Sequence, residues 1–297
     1  EKLKSLGHDV YGIDNFNDYY DVKLKELNAS DLAQQGIVIF RKDLNDDLGD
    51  VFATAYDYVF HLAAQPGISS DTALEEYVDN NIYATQNLLE AILKYNPDVK
   101  SFVNIATSSV YGIEATVDET EPAKPVSFYG VTKLAGEQLA LGLQRTGKLN
   151  TCSVRLYSVY GPRERPEKLY TKLIENLYYD KPFPLFEGSL KHERSFTYVG
   201  DIVEGLAAII GKEAKVNGEI INLGTDEVNT TQEGIHAVEV IMNKQLIIDN
   251  KPPRKGDQQR TAAVIDKAKT LLGYEPKTTL KQGLQKQVDW YLEKFTK

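Results

Sequence analysis

Short apolar runs alternate with longer segments whose apolar residues recur every three or four positions. The runs "HDVYGID", "GIVIF", "YDYVFHLAA", "VKSFVNIAT" and "NTCSVRLYSVYG" have the length and β-branched content of strands, and the segments between them have the period of amphipathic helices. This rhythm predicts parallel strands joined by helical crossovers, hence an α/β doubly wound sheet. Leu74, Tyr77, Val78, Ile82, Leu88, Leu89 and Ile92 fall at helical spacing, so residues 72–95 are predicted as a helix lying on the sheet and ended by "YNPD". After Gly161 the punctuation changes to "GPRERPEK" and "YDKPFPLFEGS", and the strands become short and separated. A second, smaller region is expected to begin there.

The opening "EKLKSLGHDVYGID" reads as the last turn of a helix stopped by Gly7, followed by a strand that ends at Asp14. In a dinucleotide-binding fold these would be the first helix and the second strand. The first strand and its glycine-rich phosphate turn are then expected ahead of Glu1, and the sequence reads as N-terminally truncated. The other reading is a different α/β fold that starts with a helix.

Composition narrows the partners. The 297 residues carry a net charge of −9 with no basic patch, so counterion release would not drive binding to nucleic acid. No apolar run approaches the roughly 20 residues that cross a bilayer and no signal-peptide pattern is visible, which makes a cytoplasmic address the default and a membrane partner unexpected. Cys152 is the single cysteine, in the apolar context "TCSVRLY", and is expected to be a buried thiol. His8, His61, His192 and His236 are scattered without metal-ligand spacing, and no metal site is expected.

The chemistry concentrates in "SFYGVTKLAGEQL", residues 127–139. Tyr129 and Lys133 are four apart, so on a helix they share a face and the ammonium can lie near the phenol. A nearby cation favours phenolate, which makes Tyr129 a candidate general base. Such a pair also arises by chance on exposed helices, and its surroundings have to decide between the two readings. Gly130, Ala135 and Gly136 are small neighbours on the same helix.

Those surroundings are "HLAAQPG" at 61–67, "NNIYATQNLLEA" at 80–91, "NIATSSVYG" at 104–112, "PVSFYGVTKLAGEQ" at 125–138, "RLYSVYGPRERPEK" at 155–168, "ERSFTYVGDI" at 193–202, "INLGT" at 221–225 and "PPRKGDQQRT" at 252–261. In this order they resemble the extended short-chain dehydrogenase/reductases, the nucleotide-sugar epimerases and dehydratases. The resemblance implies a Rossmann domain holding NAD, at 1–160 and about 196–225, and a nucleotide-sugar-binding region at about 161–195 and 226–297. It implies Thr107, Tyr129 and Lys133 as the catalytic set, with Thr107 bridging Tyr129 and sugar O4, and the small Gly130, Ala135 and Gly136 as neighbours that let the cofactor approach. NAD contacts are implied for Asp14, Asp43, Leu44, Leu62, Ala63, Ala64 and Asn81 besides Tyr129 and Lys133. Asp14, at the end of its strand, can accept from ribose hydroxyls and repel a 2′-phosphate, which favours NAD over NADP. Without the glycine-rich turn the pyrophosphate lacks its backbone amides and helix dipole, so the 297-residue chain is expected to hold NAD poorly.

Ser108 and Ser109 stand where eliminating relatives carry acids, which leaves epimerisation at C4 as the implied outcome. The stretch "RLYSVYGPRERP" is most like the UDP-glucuronate 4-epimerase branch. Ser108, Ser109, Ser158 and Arg165 would hold a C6 carboxylate, Arg194 and Arg254 the diphosphate, and Asp257 the uridine ribose. Rival expectations are a UDP-glucose or UDP-N-acetylglucosamine 4-epimerase, and a non-catalytic nucleotide-binding relative. Ser195 and Val264 stand where the family usually has Asp. Relatives often pair through two helices, so a homodimer through residues 80–95 and 127–146 is expected.

Overall fold

The strands form where the apolar runs place them, because alternate side chains enter two buried faces. In the computed structural model, which describes residues 1–67, 72–253 and 259–295, β1 is Tyr11–Asp14, β2 Val38–Arg41, β3 Tyr58–His61, β4 Ser101–Thr107, β5 Thr151–Leu156 and β6 Ile220–Leu223. The order β6-β5-β4-β3 makes one parallel sheet, and β1 and β2 form a separate parallel ribbon. Val10 to Ile13 and Tyr58 to His61 line opposite stretches of a groove of about 1720 Å³.

Helix α1, Lys2–Ser5, precedes β1, and α2, Val22–Gln34, joins β1 to β2. The chain leaves α1 through Gly7 at a φ of 89°, the left-handed stop that its glycine anticipates. The helix expected over 72–95 is present, with one feature that periodicity does not show. Leu74–Val78 passes through a π turn, Asp79–Tyr83, before α3 begins at Ala84 and runs to Tyr95. Tyr77, Leu88, Leu89 and Ile92 are buried on the sheet side, whereas Leu74 is exposed.

Helix α4, Phe128–Arg145, is capped by Ser127, whose hydroxyl accepts from the Gly130 amide. Ala140 on α4 and Leu88 and Ile92 on α3 meet Phe102 of β4 in one core. The next residue, Val103, turns to the other face, where it joins Cys152, Val154 and Ile221. Cys152 is fully buried there and burial pushes its thiol up to about 12, so it is an inert core residue. Gly130 and Gly136 admit backbone rather than a cofactor, contrary to the sequence expectation. A Cβ on Gly130 would stand 2.7 Å from the Ser109 carbonyl oxygen, and one on Gly136 would stand 2.9 Å from the Asn81 carbonyl oxygen.

A third core lies under α5, Leu169–Tyr178, α6, Thr231–Met242, and α7, Leu280–Phe295, built on Tyr170, Leu173, Ile174, Val238 and Leu284. Ala263, Ile265, Ala268 and Leu272 pack instead against the main sheet, sharing the core of Val103. Ser195 is buried and its Oγ accepts from the Ala263 amide at 2.9 Å, tying that segment to the chain that follows Arg194. Among the described residues no helix is long and apolar enough to cross a membrane.

On β5 the alternation turns Ser153 and Arg155 towards α4. Glu137 of α4, fully buried, accepts from Arg155 Nη2 at 2.7 Å, Arg155 Nε at 3.0 Å and Ser153 Oγ at 3.0 Å. The Arg155 guanidinium also lies over the Tyr111 ring, 4.8 Å from its centroid, and Tyr111 donates to Asn222 Oδ1 on β6 at 2.8 Å. One buried ion pair therefore joins α4 to the sheet centre.

Two stability measurements follow from these contacts. Arg155→Met leaves the Glu137 charge buried without its partner and is expected to lower the unfolding free energy in urea by about 3–5 kcal/mol, while the Glu137→Leu/Arg155→Met double variant regains much of it. A loss below about 1 kcal/mol in the single variant would show that the pair is not held as described. Buried His61, with Nε2 2.9 Å from Thr85 Oγ1, has its pKa pushed from 6.5 down to about 3, by burial first and the Lys133 charge second. The unfolded chain therefore takes up a proton that the folded chain refuses in this window. This part of the stability is full above pH 6.5 and is lost as pH falls towards 3. His61→Gln should flatten the acid limb of stability against pH, and an unchanged limb would remove His61 as its source.

Candidate active site

Parallel strands bring their carboxyl ends to one edge, which is where open α/β sheets bind ligands. A cavity of about 440 Å³ lies along this edge. Its walls take Asp14 from the end of β1, Asp43 and Leu44 from beyond β2, Leu62, Ala63 and Ala64 from beyond β3, and Thr107 from the end of β4. Tyr129 and Lys133 enter from α4, and Ser158, Arg165 and Lys168 from the segment after β5.

Thr107 is well buried, and its Oγ1 both accepts from the Ser109 amide at 3.2 Å and donates to Ser109 Oγ at 3.3 Å. That arrangement caps the short turn Ser108–Tyr111 and fixes the hydroxyl beside the phenol. Burial holds Tyr129 above its ordinary pKa, while its hydrogen bond with Thr107 and the charge of Arg165 work the other way. Arg165, a lowering influence that the spacing on α4 does not announce, reaches the phenol from the segment after β5. Lys133 is buried, and burial pushes its ammonium down to about 8 against the pull of Glu137, one helical turn further along α4. The ammonium's electrostatic partner is thus a buried carboxylate on its own helix, and the Arg165 guanidinium also favours the charged phenol.

At the other end, Asp14 Oδ1 accepts from the Phe16 amide at 2.7 Å, so the turn role and the cavity position coincide in one residue. Asp43 accepts from the Asn45 amide at 2.8 Å and from Asn15 Nδ2 at 2.7 Å. Asn81 is not on the wall. Its Oδ1 accepts from the Gln65 amide at 2.7 Å and its Nδ2 donates to Thr132 Oγ1 at 3.0 Å, bracing the loop after β3 against α4. The π turn presents this residue to both partners at once.

Of the residues expected at the sugar, Ser158 and Arg165 line the cavity, whereas Ser108 and Ser109 sit in the turn behind Thr107. Arg194 also lies off the wall, with Nη1 donating to the Glu193 carbonyl at 2.9 Å. Arg254 and Asp257 fall outside the described residues. Sequence reading missed Tyr19, Tyr20, Lys25 and Lys168, all on the wall. The available signal was position: "NFNDYYD" directly follows the carboxyl end of a parallel strand.

These walls fit NAD. The lining offers the Asp14 and Asp43 carboxylates as acceptors suited to ribose hydroxyls, the small side chains of Ala63 and Ala64, and the Lys133 ammonium. Comparison with known proteins agrees. The NAD dependent epimerase/dehydratase family model matches residues 1–224. The uncharacterized UDP-glucose epimerase YtcB of Bacillus subtilis is 36% identical over 293 residues, covering 97% of this chain and 91% of that protein. UDP-glucuronate 4-epimerase 4 of Arabidopsis thaliana is 36% identical over 322 residues, covering 99% of this chain and 72% of that protein. The crystal structure of UDP-glucuronic acid 4-epimerase from Bacillus cereus in complex with UDP-glucuronic acid and NAD superposes with a TM-score of 0.90 at 34% identity, covering 98% of this chain and 93% of that one. The match over residues 1–224 and these near-complete alignments show that the chain belongs to the NAD dependent epimerase/dehydratase family.

Proposed function

We propose that the protein is an NAD-dependent UDP-glucuronate 4-epimerase, interconverting the gluco and galacto forms of the uronic acid. The observation that carries this reading is that one cavity gathers Thr107, Tyr129 and Lys133 together with Ser158 and Arg165. The first three residues supply proton chemistry at a sugar hydroxyl. The last two supply a hydroxyl and a guanidinium suited to a carboxylate on the same sugar.

Asp14, Asp43, Leu44, Leu62, Ala63 and Ala64 would hold NAD, which when bound would supply reversible hydride acceptance at C4. Tyr129 takes the O4 proton by way of Thr107 and gives it back to the same oxygen, so no net redox change results. Lys133, pushed down to about 8, stays largely charged at neutral pH and can hold ribose hydroxyls as it faces Glu137. Arg165 does two things from one place: its charge favours the phenolate, and it fixes the C6 carboxylate. Fixation matters because a 4-keto uronic acid is a β-keto acid, which loses CO₂ when its carboxylate turns out of plane. Ser108 and Ser109 offer no carboxylic acid for elimination, which leaves inversion at C4 as the outcome. Arg194, Arg254 and Asp257 complete the reading as contacts to the nucleotide.

YtcB, with its UDP-glucose name, favours a second reading in which a neutral UDP-hexose is the substrate. In either case a homodimer through α3 and α4 belongs to the proposal, supported by the exposed Tyr83, Phe128 and Val131 beside or on those helices.

Turnover of UDP-glucuronate against UDP-glucose separates the two readings: kcat/KM should favour the acid, and Arg165→Ala should erase that preference chiefly through KM. Turnover of the neutral sugar alone would overturn the glucuronate assignment. Tyr129→Phe is expected to lower kcat about 10²–10⁴-fold while UDP-glucuronate still binds. A variant that retains most of its kcat would remove Tyr129 as the proton carrier.

A further inference from the structure

The loop between Gly161 and α5 carries two carboxylates beside Arg165, and they are held very differently. Glu164 points inward. Its Oε2 accepts from the Thr171 amide at 3.0 Å, from Thr171 Oγ1 at 3.1 Å and from Gln287 Nε2 at 3.0 Å, which locks it to α5 and α7. Glu167 is exposed, with 43% of its side chain accessible, and its Oε1 stands 2.5 Å from Arg165 Nη1. That contact is charge against charge without alignment, since the buried Nη1 makes no hydrogen bond. Tyr19 covers the guanidinium, its ring centroid 5.7 Å away, and Lys168 shares the same cavity wall.

The guanidinium that faces the cavity is therefore already paired, loosely, with an anion from its own loop, and only one of the two flanking carboxylates is free to leave. We infer that Glu167 is a displaceable internal counter-ion and a determinant of specificity, holding the Arg165 guanidinium until the carboxylate of a uronic acid substrate takes its place. The inference rests on the proposed role of Arg165 at the C6 carboxylate. Exchange of one carboxylate for another leaves Arg165 paired throughout. An incoming carboxylate able to align both oxygens gives the Nη1 donor the acceptor that Glu167 does not provide. Released, Glu167 has solvent on one side and the Lys168 ammonium within its field on the other. A neutral hydroxymethyl group offers no such exchange.

The test is the kinetics of Glu167→Gln with UDP-glucuronate and UDP-glucose, on the native background and on Arg165→Gln. Loss of the competing charge should lower KM for UDP-glucuronate about two- to fivefold, the range of a partly exposed ion pair, and raise selectivity for the acid by the same factor. On the Arg165→Gln background the effect should vanish. Unchanged or higher KM in Glu167→Gln, or an effect that persists without Arg165, overturns the counter-ion. If the unaltered protein neither binds nor turns over UDP-glucuronate, the substrate reading itself fails and takes this inference with it.

Discussion

The arrangement depends on the buried pair between Glu137 and Arg155. Tyr129, Lys133 and Glu137 are spaced by four on α4 and therefore form one stripe along the face that meets the sheet. The last of them is fixed by three hydrogen bonds from β5. Taking two charges out of water is expensive, and a pair of this kind adds little net stability over apolar residues of equal volume. What it provides is register. A turn of slippage in α4 would break the bidentate contact and carry the phenol away from Thr107. The glycines act in the same sense, because Gly130 and Gly136 let α4 rest directly on backbone carbonyls of two other segments.

Much of the sheet was legible because parallel strands buried on both faces announce themselves as apolar runs, and their carboxyl ends mark where a ligand binds. Asp14, Asp43, Thr107, Tyr129, Lys133, Ser158 and Arg165, which the family resemblance names in the sequence, all line one cavity. What could not be read depends on partners distant in sequence. The closeness of Gly130 to Ser109 and of Gly136 to Asn81 is a tertiary fact, so small residues near a functional pair suggested a cofactor instead. The electrostatic surroundings of Tyr129 depend on distant partners in the same way. A spacing of four shows which side chains share a face, but it does not show that Lys133 answers to Glu137 or that Arg165 reaches across from another loop.

The loop after β5 shows how a short polar stretch is made rigid around one movable charge. Arg163, in the left-handed region at a φ of 66°, turns outward and pairs with Glu1 at 2.9 Å and Asp31 at 3.2 Å. Glu164 turns inward to α5 and α7, and Pro166 limits the backbone between Arg165 and Glu167. Successive residues thus anchor opposite sides, and the guanidinium between them is presented to the cavity on a stiff support. The run "RERPEK" reads as a solvated charge cluster, yet nearly every member has a separate assignment.

The parallel architecture has a kinetic consequence as well. Phe102 must find Thr151, and Ile220 must find Ser153, before the edge that carries the cavity exists. Such non-local pairings are slow to form, since loop closure is opposed by chain entropy until the contacts close. Thr107, Tyr129 and Arg165 come from three of the segments that these pairings assemble. Catalytic competence is therefore acquired late in folding, and recovery of turnover after dilution from denaturant reports completed topology rather than early helix formation.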